Sequence, residues 1–353
     1  MSEFDVDVVI PVHSEARPIM RAVASVTDGT KAAVRVIVVA HNIDPELIGH
    51  KLGVYAKRDD VRVLSLNDGI HSPAGPMNMG LDEAAAPYVS LLGSDDEIAV
   101  GAIDSWLRIA KTHNASTVLA RIDRQNSGPD PHPPTRRGRT VDLDPVKDRL
   151  AYRSAPLGLI SRKDFGNLRF TPGLGSGEDL EFTATLWFTG SRIAYDRNTP
   201  GYIVHEDGGD RVTFAARTVE QDFAFLNAIT AAEWFPRLSK AQLRALGVKT
   251  LRMHFFDAVL LRLQSPEGIG AHRADLDRVL AKIESFAPGS LSLMSRTDRA
   301  VIDAIRAEPV TPEHIMWLLS ARWGRSPSAL LPRNPLLALH RQAPFRTLRA
   351  TVA

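Results

Sequence analysis

Two acidic clusters carry the chemistry this sequence offers. In the first, Leu91-Leu92-Gly93-Ser94-Asp95-Asp96-Glu97, an apolar run of strand character passes straight into carboxylates. In the second, Gly175-Ser176-Gly177-Glu178-Asp179-Leu180-Glu181-Phe182, a glycine-rich loop leads into carboxylates at the start of a helix. Such a pair allows a division of labour: one carboxylate gives hard oxygen ligands to a divalent cation, the other takes up a proton. Asp95, closing the strand, reads as the cation ligand with Asp96 beside it. Asp179 reads as the general base, kept ionised by the helix N-terminus, and Glu178 as the group that positions it or an acceptor. The plainer alternative is that both clusters only cap helices. Three adjacent carboxylates repel one another unless a cation is near, which favours the metal.

Further along, Tyr202-Ile203-Val204-His205-Glu206-Asp207-Gly208-Gly209-Asp210-Arg211 follows a late strand. His205 offers a neutral imidazole to a metal and Arg211 a guanidinium to a diphosphate. The alternative is a surface turn with a solvated histidine. His13, His41 and His71 fall on strand-to-loop junctions but form no spaced metal motif.

These residues need a scaffold that gathers them. Val6 to Val12, Val34 to Ala40, Val61 to Leu66 and Tyr88 to Leu92 read as buried strands, rich in β-branched residues. Pro18 to Val26, Met77 to Ala86 and Gly101 to Ala110 have helical spacing between them, and Ser116 to Arg121 is the next strand. This alternation predicts βαβ units and a mostly parallel sheet. Asp123 to Pro145 breaks the rhythm with prolines, glycines and arginines, and reads as a long surface loop, disordered or an active-site flap. Strands resume at Leu157 to Ser161 and Arg192 to Asp196, with a helix from Gly177 through Phe188. From about Phe214 only helices follow: Thr218 to Trp234, Ser239 to Leu263, one opened by Ser295-x-x-Asp298 and one by Thr311-Pro312-Glu313. The expected domains are 1–215, α/β, and 216–353, all-α.

Composition narrows the function. With 353 residues, a net charge of +2 and no cysteine, the chain is not built to hold nucleic acid and has no thiol chemistry or zinc-thiolate site. Met1 to Asp7 is acidic, unlike a secretory signal, and no run of apolar residues is long enough to span a bilayer. A cytoplasmic protein is expected, including at the inner membrane face. After Glu313 the chain has no acidic residue but carries Arg322, Arg325, Arg333, Arg341, Arg346 and Arg349. A helix from about Pro335 to Arg349, with Leu336, Leu339, Ala343 and Leu348 on one side, would meet anionic lipid peripherally; docking on the helical domain and subunit pairing into a homo-oligomer are the alternatives.

The motifs in this order resemble the family 2 glycosyltransferases of the GT-A fold over roughly residues 5–215. Val9-Ile10-Pro11-Val12-His13 resembles that family's first strand, and Ser72 to Leu81 its "G-x-x-x-A-R-N-x-G" helix entry. Leu92-Gly93-Ser94-Asp95-Asp96 falls on its "D-x-D-D" motif, and Glu178-Asp179-x-x-Phe182 on its "E-D-x-x-F" motif. The resemblance implies a GT-A sheet flanked by helices and an inverting transfer of sugar from a nucleotide-diphosphate sugar, with UDP as the nucleotide, to a hydroxyl. The acceptor would be a glycan, a polyol-phosphate polymer or a lipid-linked molecule, as in surface polysaccharide or teichoic acid assembly. It also implies donor contacts at Pro11, His13, Glu15, His41, Asn42, Asn78, Ser94, Asp95 and Arg211, and Mn²⁺ or Mg²⁺ at Asp95, Asp96 and His205. Three positions depart from the pattern: Gly93 for the first aspartate of D-x-D, His41-Asn42 where an acidic run is usual after the second strand, and Met77 for the arginine of the helix entry. A nucleotidyltransferase is the competing enzyme reading, although His13-Ser14-Glu15-Ala16-Arg17-Pro18 lacks the glycines of its signature loop. A binding module that keeps the fold without catalysis is the third.

Overall fold

Runs of valine and isoleucine, stiff at χ1 and suited to a pleated surface, become the centre of a sheet. The computed structural model describes residues 3–199, 201–206 and 217–351. Its strands are β1 (Val6–Val12), β2 (Val34–His41), β3 (Val61–Leu66), β4 (Tyr88–Leu91), β5 (Glu97–Ile98), β6 (Thr117–Ala120), β7 (Ile122–Arg124), β8 (Gly128–Pro129), β9 (Gly158–Ser161), β10 (Ile193–Asp196) and β11 (Tyr202–Val204). Helices α1 (Ile19–Thr27), α2 (Pro45–Leu52), α3 (Ala74–Glu83), α4 (Ala102–His113), α5 (Arg162–Phe165) and α6 (Leu180–Thr189) lie between them. Seven strands make one sheet in the order β10-β6-β9-β4-β1-β2-β3. Only β9 runs antiparallel to its neighbours. A second sheet has the order β5-β11-β7-β8. This is the mixed, mostly parallel α/β architecture expected of a GT-A fold.

The topology fixes where a ligand can sit. β1 pairs with β2 on one side, from Val6↔Val34 to Val12↔Ala40, and with β4 on the other, from Val6↔Tyr88 to Val9↔Leu91. The connections leave β1 in opposite directions, so a crevice opens at the carboxyl ends of β1 and β4, the switch point where open α/β sheets bind ligands. One polar and one steric detail fix the packing around β1. Asp7, fully buried, accepts from Arg35 Nε at 2.8 Å and from the amides of Ala85 and Ala86 at 2.6 and 2.7 Å. Gly80 brings α3 onto β1, since an added Cβ there would lie 2.2 Å from Val9 Cγ1.

The chain divides into two units. The α/β unit runs to Asp130 and takes in Arg139–Leu143 and the chain from Ser154; the other holds Pro131–Gly138, Asp144–Arg153 and the chain from Arg217. The second is helical: α7 (Val219–Asp222), α8 (Phe225–Ala231), α9 (Lys240–Lys249), a π-helical turn (Thr250–Phe255), α10 (Phe256–Leu263), α11 (Gly268–Ala271), α12 (Arg273–Phe286), α13 (Arg296–Arg306), α14 (Pro312–Ala321), α15 (Pro327–Leu330) and α16 (Pro344–Thr351). Ser239 with Gln242 and Ser295 with Asp298 form capping boxes on α9 and α13. The single helix expected over Thr218 to Trp234 is broken between α7 and α8. Phe223 and Phe225 are both buried, and residues two apart on one helix point to nearly opposite sides, so a break is needed to bring both inside.

The stretch expected to be a disordered loop or flap is ordered instead. It forms the β7–β8 hairpin and then joins the helical unit through buried polar groups. Asp148, fully buried, accepts from Arg136 Nε and Nη2 at 2.8 and 2.6 Å and from the amides of Arg136 and Asp144 at 3.0 and 2.8 Å. The basic tail is not one amphipathic helix either. Asn334 opens a 3₁₀ turn at Pro335–Leu337, and α16 begins only at Pro344. Arg322 is buried against Asp298 at 2.7 Å and over the Phe256 ring at 3.8 Å, and Arg333 pairs with Asp303. Leu336 and Leu339 remain exposed. Among the described residues no helix is long and apolar enough to cross a membrane.

Candidate active site

The carboxyl ends of β1 and β2 deliver Pro11, Val12, His13, His41 and Asn42 to one wall of a pocket of about 220 Å³; His71, Ser72, Pro73 and Pro76, at the entry to α3, form the other. Asn42 has φ = 54°, a left-handed conformation that asparagine tolerates. Its Oδ1 accepts from the amides of Asp68 and Gly69 at 3.1 and 2.9 Å. His41 is buried, with Nε2 2.8 Å from Asp68 Oδ1. The amide of Ile70 donates to the same oxygen at 2.9 Å; that bond, and then His41, hold the Asp68 carboxyl below its ordinary pKa. Four of the expected donor contacts, Pro11, His13, His41 and Asn42, thus share one pocket. Asp68 replaces, from the loop after β3, the acidic character missing after β2.

At the end of β4 the chain turns tightly, the amide of Asp96 donating to the carbonyl of Gly93 at 3.1 Å. Asp95 is buried, its Oδ2 paired with Arg17 Nη1 and its carbonyl accepting from Arg21 Nη2. Arg17 precedes α1 and Arg21 lies in its first turn, so the loop after β1 reaches the turn after β4 across the switch point. Asp96 Oδ2 accepts from the Tyr202 hydroxyl at 2.7 Å, and Oδ1 from the amide of His205 at 3.0 Å. The His205 ring lies between Glu97 Oε2, 2.8 Å from Nε2, and Gln125 Oε1, 3.0 Å from Nδ1. A Cβ at Gly93 would meet Asp96 Oδ2 at 2.9 Å and Asp95 Oδ1 at 3.2 Å, so a larger residue there would shift these carboxylates.

The loop that carries Asp179 is fastened to α3. Asn78 Nδ2 donates to the carbonyl of Phe170 at 2.9 Å, and its Oδ1 accepts from the same residue's amide at 2.7 Å. Ser72 Oγ donates to the carbonyl of Leu174 at 3.0 Å, joining the pocket wall directly to the glycine-rich loop. Asp179 is half-buried at the N-terminus of α6, its carbonyl accepting from the Thr183 amide and hydroxyl at 2.8 and 2.7 Å. Phe182, stacked on Phe170 at 4.5 Å between centroids, anchors the helix start from behind. In this structure the Asn78 amide is occupied in holding the loop. Glu15 is exposed, Ser94 is buried, and neither lines the pocket. Arg211 lies outside the described residues.

The family model for glycosyl transferase family 2 matches residues 7–169, from β1 through the acidic turn to the start of the loop before Asp179. Over these residues the chain resembles that family. Among curated relatives, the poly(ribitol-phosphate) β-N-acetylglucosaminyltransferase TarP of Staphylococcus aureus strain N315 is 23% identical over 246 residues, spanning 67% of this chain and 74% of the relative. A poly(ribitol-phosphate) β-glucosyltransferase of Bacillus spizizenii is 20% identical over 256 residues, spanning 71% of this chain and 40% of that relative's length. Among solved structures, S. aureus TarS 1-349 in complex with UDP-GlcNAc superposes with a TM-score of 0.70 at 17% identity, covering 90% of this chain and 91% of the other. The same protein in complex with UDP gives 0.65 at 18% identity, with 90% of each chain covered. The GT-A fold is therefore shared.

The metal set expected from the sequence is not gathered round one centre. Among the described residues no group of three or more histidines and carboxylates is gathered to hold a metal ion. Both Asp96 oxygens accept hydrogen bonds, and both His205 ring nitrogens face oxygens, so Asp95, Asp96 and His205 do not stand as three ligands to one centre. A cation that travels with a diphosphate asks for less: one or two carboxylates, with phosphate oxygens and water as the remaining ligands. Asp95 is one such carboxylate, engaged by Arg17 in this structure. The residues missed in the sequence are those that hold the site: Arg17, Arg21, Asp68, Tyr202 and Gln125. Arg17 and Arg21, four apart after a first strand, were the one signal available.

Proposed function

We propose that this glycosyltransferase moves a sugar from a uridine-diphosphate sugar to a hydroxyl of a polyol-phosphate polymer, with inversion at the anomeric carbon. The observation that carries the reading is the hydrogen bond from Ser72 to Leu174, which ties the pocket at the carboxyl ends of β1 and β2 to the loop that presents Asp179. The choice of donor and acceptor is supported by relatives named for poly(ribitol-phosphate) and by a like-folded protein solved with UDP-GlcNAc.

The pocket lined by His41 and Asn42 receives the base, with the Asp68 carboxylate fixing the imidazole orientation through Nε2. The diphosphate then extends toward the turn after β4. Asp95 would hold Mn²⁺ or Mg²⁺ there together with the phosphates, and the cation would neutralise charge on the leaving diphosphate. Asp179 accepts the proton of the acceptor hydroxyl as that oxygen bonds to the anomeric carbon. The bond from that carbon to the diphosphate breaks with its electron pair, giving UDP and one new glycosidic bond. Glu178, adjacent and half-buried, orients the acceptor or the base.

Calorimetry with UDP, GDP, CDP and ADP in the presence of Mn²⁺ tests the donor assignment. UDP is expected to bind most tightly, and His41→Ala to weaken UDP more than tenfold, the scale of one lost charge-assisted contact. Equal binding of all four diphosphates would overturn the base assignment.

A further inference from the structure

A second pocket, of about 390 Å³, lies within the helical unit, and none of its lining residues serves the donor pocket. One wall is α12, where Asp275, Arg278, Val279 and Lys282 follow the spacing i, i+3, i+4 and i+7 and so share a helix face. The other is α7 with the start of α8, carrying Glu220, Phe223 and Asn227. Phe223 and Val279 are buried and supply the apolar part. The α7 wall is preformed: Thr218 and Gln221 close a capping box at its start, and Asp222 accepts from the buried Arg262 of α10 at 2.6 Å. The charged groups are not all matched. Arg278 pairs with Asp275 on its own helix. Lys282 donates to the neutral Asn227 Oδ1, and burial lowers the pKa of its ammonium. Among the described residues neither Lys282 nor Glu220 has an ion-pair partner.

We infer that this pocket is a second acceptor subsite, which holds one phosphodiester of the polyol-phosphate polymer at Lys282 while Glu220 accepts from hydroxyls of the adjoining polyol. The inference rests on the polyol-phosphate reading of the acceptor. An ammonium and a carboxylate that line one pocket without meeting suit a ligand with both an anionic group and hydroxyl donors. A phosphodiester brings one negative charge to the one unmatched cation. A free phosphate dianion would be attracted by Lys282 but repelled by Glu220 and Asp275, and a neutral polyol would leave the ammonium unmatched. The volume lies in the range of small-ligand sites. A polymer held at two places binds the second at a raised effective concentration, so the subsite favours long acceptors over short ones and leaves the chemical step alone.

The test compares transfer from UDP-GlcNAc by the full chain to poly(ribitol phosphate) and to a single ribitol phosphate. Lys282→Gln should raise the KM for the polymer about tenfold, the scale of one lost charge-assisted contact. It should leave kcat, the KM for UDP-GlcNAc and the KM for the single unit unchanged. Lys282→Arg keeps the charge and should restore most of the polymer affinity, which a folding defect would not allow. A polymer KM that stays the same in Lys282→Gln, or an equal rise for both acceptors, overturns the subsite while the acceptor reading stands. Calorimetry with inorganic phosphate separates the remaining source of the same chemistry. Phosphate binding that Lys282→Gln abolishes, with the polymer KM unmoved, would make this a site for free phosphate and overturn the proposal. If the wild type transfers sugar to neither acceptor, the acceptor reading itself fails, and the subsite with it.

Discussion

The phenol of Tyr202 holds Asp96 in place: its hydroxyl donates to Asp96 Oδ2 at 2.7 Å while accepting from the amide of Gly93 at 2.9 Å. Tyr202 stands on β11 of the smaller sheet, and the acidic turn follows β4 of the larger one. One oxygen therefore links the second sheet to the turn that ends in Asp95. Burial, and then the neighbouring Asp96 charge, push the Tyr202 phenol well above its usual pKa, so it remains a donor at neutral pH.

Tyr202→Phe removes that oxygen and leaves the ring's packing intact. The Gly93 amide and Asp96 Oδ2 lose this bond in a part-buried setting, which costs about 1 kcal/mol. Urea denaturation should show a lower midpoint with an unchanged slope, accompanied by weaker UDP binding. A variant as stable as the wild type would mean that the link does not support the turn.

Arg149 plays the corresponding part in the helical unit. Buried, with φ = 50°, it donates to the carbonyls of Arg341 at 2.6 Å, Arg346 at 3.2 Å and Pro134 at 3.1 Å. Arg149→Met keeps much of the stem but leaves these carbonyls without their donor, with an expected loss of at least about 2 kcal/mol. Hydrogen exchange should rise first in the segment from His340 to Thr351. Unchanged protection there would show that the tail is held by its apolar contacts alone.

Stability of the helical unit should fall on mild acidification. His254 is half-buried, beside Lys249 and 5.1 Å from the Phe225 ring, and burial, then the Lys249 charge, set its pKa well below 6.5. The folded state keeps this imidazole neutral, so below about pH 6.5 the unfolded chain binds the extra proton and gains stability relative to the fold. The contribution is intact above pH 6.5 and declines as pH falls toward the depressed value. Melting followed from pH 7.5 to 5.5 should show a Tm decline in the wild type that His254→Gln reduces. Parallel declines in both proteins would assign the acid sensitivity to other groups.

The sheet was legible because its information is local. Val6–Val12 and Val34–His41 are β-branched runs whose burial on both faces follows from composition. That Asp95 follows a strand and Asp179 opens a helix was legible for a similar reason, since each sits where an element begins or ends. Arg17 was not: its partner lies 78 residues away and meets it only because β1 and β4 are neighbours. Asp68 escaped notice because its role depends on β3 pairing beside β2, which brings the loop after β3 to His41. The stretch from Asp123 to Pro145 misled because it is held by polar bonds, Arg136 to Asp148 and the Arg149 and Arg153 guanidiniums to the carbonyls of Pro134 and His132, which leave no periodic apolar signature.

The most direct test of the account is a transfer assay with UDP-GlcNAc and a polyol-phosphate polymer, comparing wild-type enzyme with Asp179→Asn. The substitution is nearly isosteric and removes only the ability to take a proton. Wild type should release one UDP for each sugar incorporated and give a product of inverted anomeric configuration. Asp179→Asn should bind UDP as the wild type does while turning over about 10²–10⁴-fold more slowly. Transfer by Asp179→Asn at the wild-type rate, or a wild-type product with retained configuration, would contradict the account.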